Sequence, residues 1–482
     1  MKTIPKDQVK ARLATENPWW QTLNQIPPSF LGLKARPYIN LLLPLIEENK
    51  PRRAVVLMGP RRVGKTVLIH HVIDKLLKKG VPSKHICYAS VDHPLYNGLG
   101  LEELLAEYSE TTKIDYRKHN CFFFFDEIQY LRDWELHLKA IVDRYPNCHC
   151  LASGSAAAAL RLKSDESGAG RFTDFMLPPL TFQEYMFLSD ATNLVSLEVS
   201  DNGLIKTTIT DNIEALNKKF LAYLNYGGYP EIAFSKDVQK DPGRFVKNDI
   251  IDKVLLRDLP SLYGVHDVQE LNYLFTTLAY NTAGEVSLEE LSKGSGVAKN
   301  TIKRYIEYLE AAFLIRVVHR VDRNARRFKR ANFFKVYLTN PSMRTALFSP
   351  VHENDEAMGN IVETALFSQW FHSDIQLHYA RWNKGEVDIV HLGPEFKANW
   401  ALESKWSDRF YSKPSELRSL ITFCHSQNLN RAMVTSKTQQ GKKSIESVCL
   451  DFLPASLYCY ILGYNLVQGH NALDGLEATE SM

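Results

Sequence analysis

Eight consecutive residues, Gly59-Pro60-Arg61-Arg62-Val63-Gly64-Lys65-Thr66, have the spacing G-x-x-x-x-G-K-[ST]. Glycines let a backbone turn its amides toward an anion. A lysine adds a compact positive charge, and the hydroxyl that follows can ligate a divalent metal. The chemistry implied is binding of the β- and γ-phosphates of ATP with Mg2+, by a contact set running from Gly59 to Val67 with Thr66 on the metal. Further along, the apolar run Cys121–Phe125 ends in Asp126-Glu127. Asp126 suits the metal's water shell, and Glu127 suits a base that polarises an attacking water. Lys65 and Glu127 are therefore the catalytic candidates at this site.

A third run, His149–Ala152, leads into Ser153-Gly154-Ser155. Either serine could stand between the acidic strand and the γ-phosphate, and a plain strand-end turn reads equally well. Arg171, in Gly170-Arg171-Phe172, could sense γ-phosphate in cis or in trans, or simply face solvent.

A second constellation lies near the C-terminus. Glu363 falls on a predicted helix, 359–370, and Asp388 on a strand, 385–390. Glu403 and Lys405 are two apart on another strand run, so they project to one face. Carboxylates from Glu363, Asp388 and Glu403 could hold Mg2+ while Lys405 positions water, with Asp388, Glu403 and Lys405 as catalytic candidates. Asp388–Glu403–Lys405 with Glu363 as helix acid is the pattern of PD-(D/E)XK nucleases. Solvated ion pairs give the same short pattern.

The elements that must position these residues follow from periodicity. Short continuous apolar runs alternate with helical patterns over residues 51–195, which predicts a buried parallel sheet of α/β type behind a lead-in over 1–50. Residues 196–280 read as a helical lid or linker. Over 281–345, a helix (287–293), a turn and a second helix (299–312) have helix-turn-helix spacing, with two wing strands. Lys299, Asn300, Lys303 and Arg304 open the second helix, and Arg323, Arg326, Arg327, Lys329 and Arg330 crowd the wing. Such residues suit DNA phosphates, and protein contact or plain solvation are the alternatives. Residues 346–482 return to mixed α/β.

The bulk numbers limit the rest. With 482 residues, 45% apolar and 23% charged, the chain has the composition of a multidomain soluble protein. No apolar run approaches the ~18 residues that span a bilayer, so no membrane partner is expected. A net charge of +3 makes any basic surface local. The seven cysteines, irregularly spaced, suggest reduced thiols and a cytoplasmic location.

Taken together, the loop 59–66, the segments 122–129 and 151–156, Gly170-Arg171-Phe172 and the run 177–185 resemble AAA+-like ATPases of bacteria and archaea that carry a C-terminal DUF4143 domain. Tyr226-Gly227-Gly228-Tyr229-Pro230-Glu231 and Leu256-Arg257-Asp258-Leu259 extend the resemblance over nearly all of the chain. It implies a P-loop ATPase, related to the STAND switches, followed by a winged helix and a domain of restriction-nuclease-like fold. ATP-dependent work on DNA and an ATP-driven signalling switch over an inactive nuclease fold are both consistent with it, as is a homo-oligomer.

Overall fold

Ala54–Met58 and Cys121–Asp126 are buried along their whole length, which suits strands covered on both faces. In the computed structural model they form β1 (Ala54–Met58) and β3 (Cys121–Asp126), with β2 (Ile86–Ser90), β4 (Cys148–Gly154) and β5 (Phe172–Met176). The sheet is parallel throughout, in the order β2-β3-β4-β1-β5. The structure describes residues 5–21, 25–48, 50–154, 170–199, 205–265, 267–326, 332–373 and 375–468. It divides into two units, Met1–Leu177 and Pro178–Met482.

An edge strand leaves every second N–H and C=O without a ladder partner. In the first unit the lead-in covers the β2 edge. The Asn17 side chain accepts from Tyr88 N (2.7 Å) and donates to Tyr88 O (2.8 Å), imitating a strand. Both Trp19 and Trp20 donate their indole N–H to Ile86 O, at 3.1 and 2.7 Å. Asn17-Pro18-Trp19-Trp20 is thus the cap of this sheet edge.

The second unit begins earlier than residue 195. Leu180, Phe182, Tyr185 and Met186 belong to its core, with Phe220, Tyr223, Trp370 and Tyr458. Helix 182–188 opens with Thr181 and Glu184 in a reciprocal cap. A hairpin of β6 (Ser196–Val199) and β7 (Ile205–Ile209) follows. It lies in the span expected to be a helical linker, whose remainder is largely helical.

The remaining strands are β8 (Glu285–Ser287), β9 (Ile315–Val321), β10 (Phe333–Leu338), β11 (Leu377–Trp382), β12 (Gly385–Leu392), β13 (Ala398–Glu403), β14 (Arg431–Ser436), β15 (Gly441–Ile445) and β16 (Val448–Pro454). They form one mixed sheet, in the order β15-β16-β14-β13-β12-β11-β9-β10-β8. The expected wing strands are therefore not a separate module. β9 pairs in parallel with β11, through His319–His378 and Val321–Ala380, and so joins the 281–345 segment to the C-terminal α/β segment. Helix 358–369 and helix 455–467 pack against this sheet, and Tyr337 stacks on Phe367 at 3.9 Å.

Replacing Asn17 by Leu removes the pairing of two buried Tyr88 backbone groups. The expected loss is about 2–4 kcal/mol, read as a lower urea midpoint. An unchanged midpoint would mean that the edge cover adds no stability.

Candidate functional site

β1 delivers Gly59 at its C-terminal end, and Gly64 caps helix 65–78 with φ 92°, a conformation that favours glycine. At Gly59 a Cβ would lie 2.3 Å from the Leu177 carbonyl oxygen, so the loop has no room for a side chain there. Arg36 donates to Val63 O (2.8 Å) and holds the loop from outside. Lys65 is 5% exposed. Its ammonium donates to Gly59 O (2.9 Å) and Pro60 O (2.8 Å), so the loop closes on its own lysine. Burial pulls the Lys65 pKa down to about 8; Arg61 adds to this, while Glu127 and Asp126 oppose it.

Strand order explains how Asp126 is held. β4 lies between β1 and β3, which puts Ser153 beside Asp126 and opposite Leu57. Asp126 is 1% exposed. One carboxylate oxygen accepts from the Thr66 hydroxyl (2.7 Å) and the Tyr88 hydroxyl (2.9 Å). The other accepts from Ser153 Oγ and from Glu127 N (3.2 Å). Glu127 has φ 53°, which turns it out of the strand, and Gln129 Nε2 donates to its carboxylate. Below the loop, His70 Nδ1 bonds Thr66 O (2.8 Å) while its ring stacks on Phe30 at 4.0 Å, and burial lowers its pKa. Tyr88, His70 and Arg36 belong to no motif, and Gln129 ends the motif segment 122–129 without a role assigned from sequence. Tyr88 becomes predictable only once β2 is known to lie beside β3.

The structure therefore brings Lys65, Thr66, Asp126 and Ser153 around one sheet end, with Glu127 next in the chain. Of the readings open for Arg171, the structure removes contact in cis. β5 runs parallel to β1 from the pair Ala54–Phe172, so Arg171 lies at the opposite end of the strands from the loop. Five residues of strand separate the two ends, roughly 16 Å. Arg171 instead pairs with Asp143 at 2.5 Å on the surface. It cannot touch a γ-phosphate held by its own loop. Ser155, Arg327, Lys329 and Arg330 lie outside the described residues.

In the second unit, Glu363, Asp388, Glu403 and Lys405 do converge. Lys405 Nζ is 2.7 Å from Glu403 and 3.5 Å from Asp388, which also accepts from Ser404 N at 2.9 Å. Lys335, a lone lysine in an apolar strand, has no sequence signal that would place it here. It is 3% exposed and reaches Glu363 (2.9 Å), Glu386 (2.7 Å) and Asp388 (3.7 Å). Tyr337 donates to the same Glu363 oxygen at 2.6 Å. Burial pushes Glu363 up to about 7, with Lys335 opposing and Asp388 adding. Burial and then Asp388 raise Glu403, while Asp388 stays low because Lys405 and Lys335 outweigh its burial. Among the described residues no group of three or more His, Cys, Asp or Glu is arranged to hold a metal. In the structure Lys335 and Lys405 stand among the oxygens of the expected set Glu363, Asp388 and Glu403.

On the 281–345 segment, Asn300, Lys303 and Arg304 are exposed, as are Arg323 and Arg326. Lys299 and Lys303 approach Glu289 (3.7 Å) and Glu307 (3.9 Å). All seven cysteines are free thiols. Among the described residues no helix is long and apolar enough to cross a membrane.

Residues 51–186 match the AAA domain family. Residues 217–354 match a domain of unknown function, DUF8612, which is a different family from the DUF4143 of the motif resemblance. An uncharacterized protein of Haemophilus influenzae is 22% identical over 360 residues, covering 73% of this chain and 82% of its own length. An uncharacterized protein of Methanocaldococcus jannaschii is 26% identical over 336 residues, covering 66% of this chain and 67% of its own. Among solved structures, a Walker-type ATPase of Pyrococcus abyssi aligns over 63% of this chain and 94% of its own, at 17% identity and TM-score 0.36. AMPPCP-bound DnaA from Aquifex aeolicus aligns over 59% and 92%, at 13% identity and TM-score 0.29. With its loop, acidic strand and parallel sheet, the segment 51–186 is a P-loop ATPase domain of the AAA type.

Proposed function

We propose that this chain hydrolyses ATP at the loop 59–66, with Glu127 orienting and deprotonating the attacking water. The observation that carries this reading is the hydrogen bond from Thr66 to Asp126 at 2.7 Å, which couples the loop's metal-side hydroxyl to the acidic strand. Thr66 and Asp126 supply the hard oxygens that Mg2+ prefers, and Mg2+ would neutralise charge on the phosphates. Lys65 must leave the Gly59 and Pro60 carbonyls to meet a phosphate. Ser153 and Tyr88 hold Asp126 in place. Gln129 holds one oxygen of the Glu127 carboxylate and so orients the base.

A second reading concerns residues 288–311. Asn300, Lys303 and Arg304 are exposed at the start of helix 299–311, with Arg323 and Arg326 also exposed, an arrangement suited to DNA phosphates. Lys303→Ala with Arg304→Ala is expected to weaken duplex binding equally for all sequences. The salt slope should fall by about one for each phosphate-binding side chain removed. Fluorescence anisotropy across a salt series measures this, and unchanged affinity excludes these residues from DNA binding.

For the ATPase, Glu127→Gln is expected to keep ATP binding and lose roughly 100-fold or more of the hydrolysis rate. Turnover at the wild-type rate would remove Glu127 from the chemistry.

Binding should also take up a proton at alkaline pH. Free Lys65, with its pKa near 8, is mostly neutral at pH 9. Phosphate oxygens favour the charged form, so binding at pH 9 draws in up to about one proton per ATP. At pH 6.5 Lys65 is already charged, and its contribution vanishes. Calorimetry in two buffers of different ionisation enthalpy measures the uptake.

A further inference from the structure

A lysine buried in an apolar strand loses hydration worth several kcal/mol unless carboxylates replace it. Lys335 lies between Phe334 and Val336 of β10, both buried. Its ammonium is met by Glu363 from helix 358–369 and by Glu386 and Asp388 from β12. In the sheet, β10 and β12 are separated by β9 and β11. The Lys335 side chain reaches across, with its Nζ 5.4 Å from the centre of the Tyr379 ring on β11. This one side chain thus ties the 281–345 strands to those that follow residue 377.

The oxygens it meets matter. Glu363 Oε1 and Asp388 Oδ1 belong to the carboxylates a divalent ion would need. Glu363 Oε1 also accepts the Tyr337 hydroxyl. Lys405 takes Asp388 Oδ2 and Glu403 Oε1. Four carboxylates, Glu363, Glu386, Asp388 and Glu403, thus face three cations, Lys335, Lys405 and Arg381, the last held by Glu386 at 3.0 Å. Formally the four acids exceed the three cations by one charge, and Arg381 is shared with a fifth acid, Glu285 (3.5 Å), so most of the acids' charge is already met without a metal.

We propose that the Lys335 ammonium is the resident cation of this centre, standing among Glu363, Glu386 and Asp388 in place of a divalent metal. The centre is then an ion-pair staple of the nine-stranded sheet. It becomes a hard-cation site of Mn2+ or Mg2+ type only when that ammonium is removed. This role is independent of ATP hydrolysis by the first unit.

The test is titration of Mn2+ into the full-length, nucleotide-free chain, with free Mn2+ followed by electron paramagnetic resonance. Wild type and Asp388→Asn should give the same isotherm, because this centre contributes no Mn2+ site. Lys335→Ala should gain one equivalent, bound at least ~10-fold more tightly than any site in the wild type, and lose it again when combined with Asp388→Asn. Its melting temperature should rise with Mn2+, whereas that of the wild type should not change through this centre. A wild-type site that disappears in Asp388→Asn overturns the proposal, as does a folded Lys335→Ala that gains none. If Lys335→Ala does not fold, the comparison of wild type with Asp388→Asn still decides. Mn2+-dependent DNA cleavage by the wild type that is lost in Lys405→Ala would overturn it as well.

Discussion

A carboxylate kept from water stays charged only if donors or cations replace its hydration. Both centres of this protein depend on meeting that demand, and they meet it differently. Asp126 is met by neutral donors, the hydroxyls of Thr66, Tyr88 and Ser153 and the amide of Glu127. Donors from the phosphate loop, β2, β4 and the start of the next turn converge on one side chain. That requires β3 to lie between β2 and β4, with β1 next to β4. The strand order is therefore part of the chemistry, because it sets which hydroxyls reach the acid.

The same economy appears at the edge of the first sheet. Tyr88 serves both ends of the problem. Its backbone is paired by the Asn17 side chain, while its hydroxyl holds Asp126. The lead-in thus stabilises the strand that carries a supporting residue of the nucleotide site. Arg36, from the segment that follows, braces Val63 in the loop itself. These interactions fix the backbone around Gly59 and Gly64, whose lack of side chains is what lets it lie so close to β5 and turn into the helix.

In the second unit, cations replace hydration instead. Asp388 and Glu363 are buried beside Lys335 and Lys405, and the pairing holds strands from two segments that look independent in sequence. Parallel pairing of β9 with β11 joins them at the backbone level, and the ion cluster joins them at the side-chain level. A buried ion pair of this kind is costly to break on one side only. The same lysines neutralise the acids that the sequence offered as a site.

Much of the first unit was legible in the sequence. The residues 59–66, Asp126-Glu127 and the strand runs are local patterns, because phosphate loops and buried strands depend on neighbours a few residues apart. The sequence alone also determined that Glu363, Asp388, Glu403 and Lys405 are candidates to share one site, through strand alternation and spacing. It could not determine that Lys335 would join them, that Tyr88 would reach Asp126, or that Arg171 would face the wrong end of its sheet. Each of these depends on which strands are neighbours and in which direction they run. Hydrogen bonding between strands far apart in the chain sets that order, and local periodicity carries no trace of it. Tertiary structure alone decided that the C-terminal acids meet Lys335, because a long side chain from a strand separated from β12 by two others in the sheet reaches them.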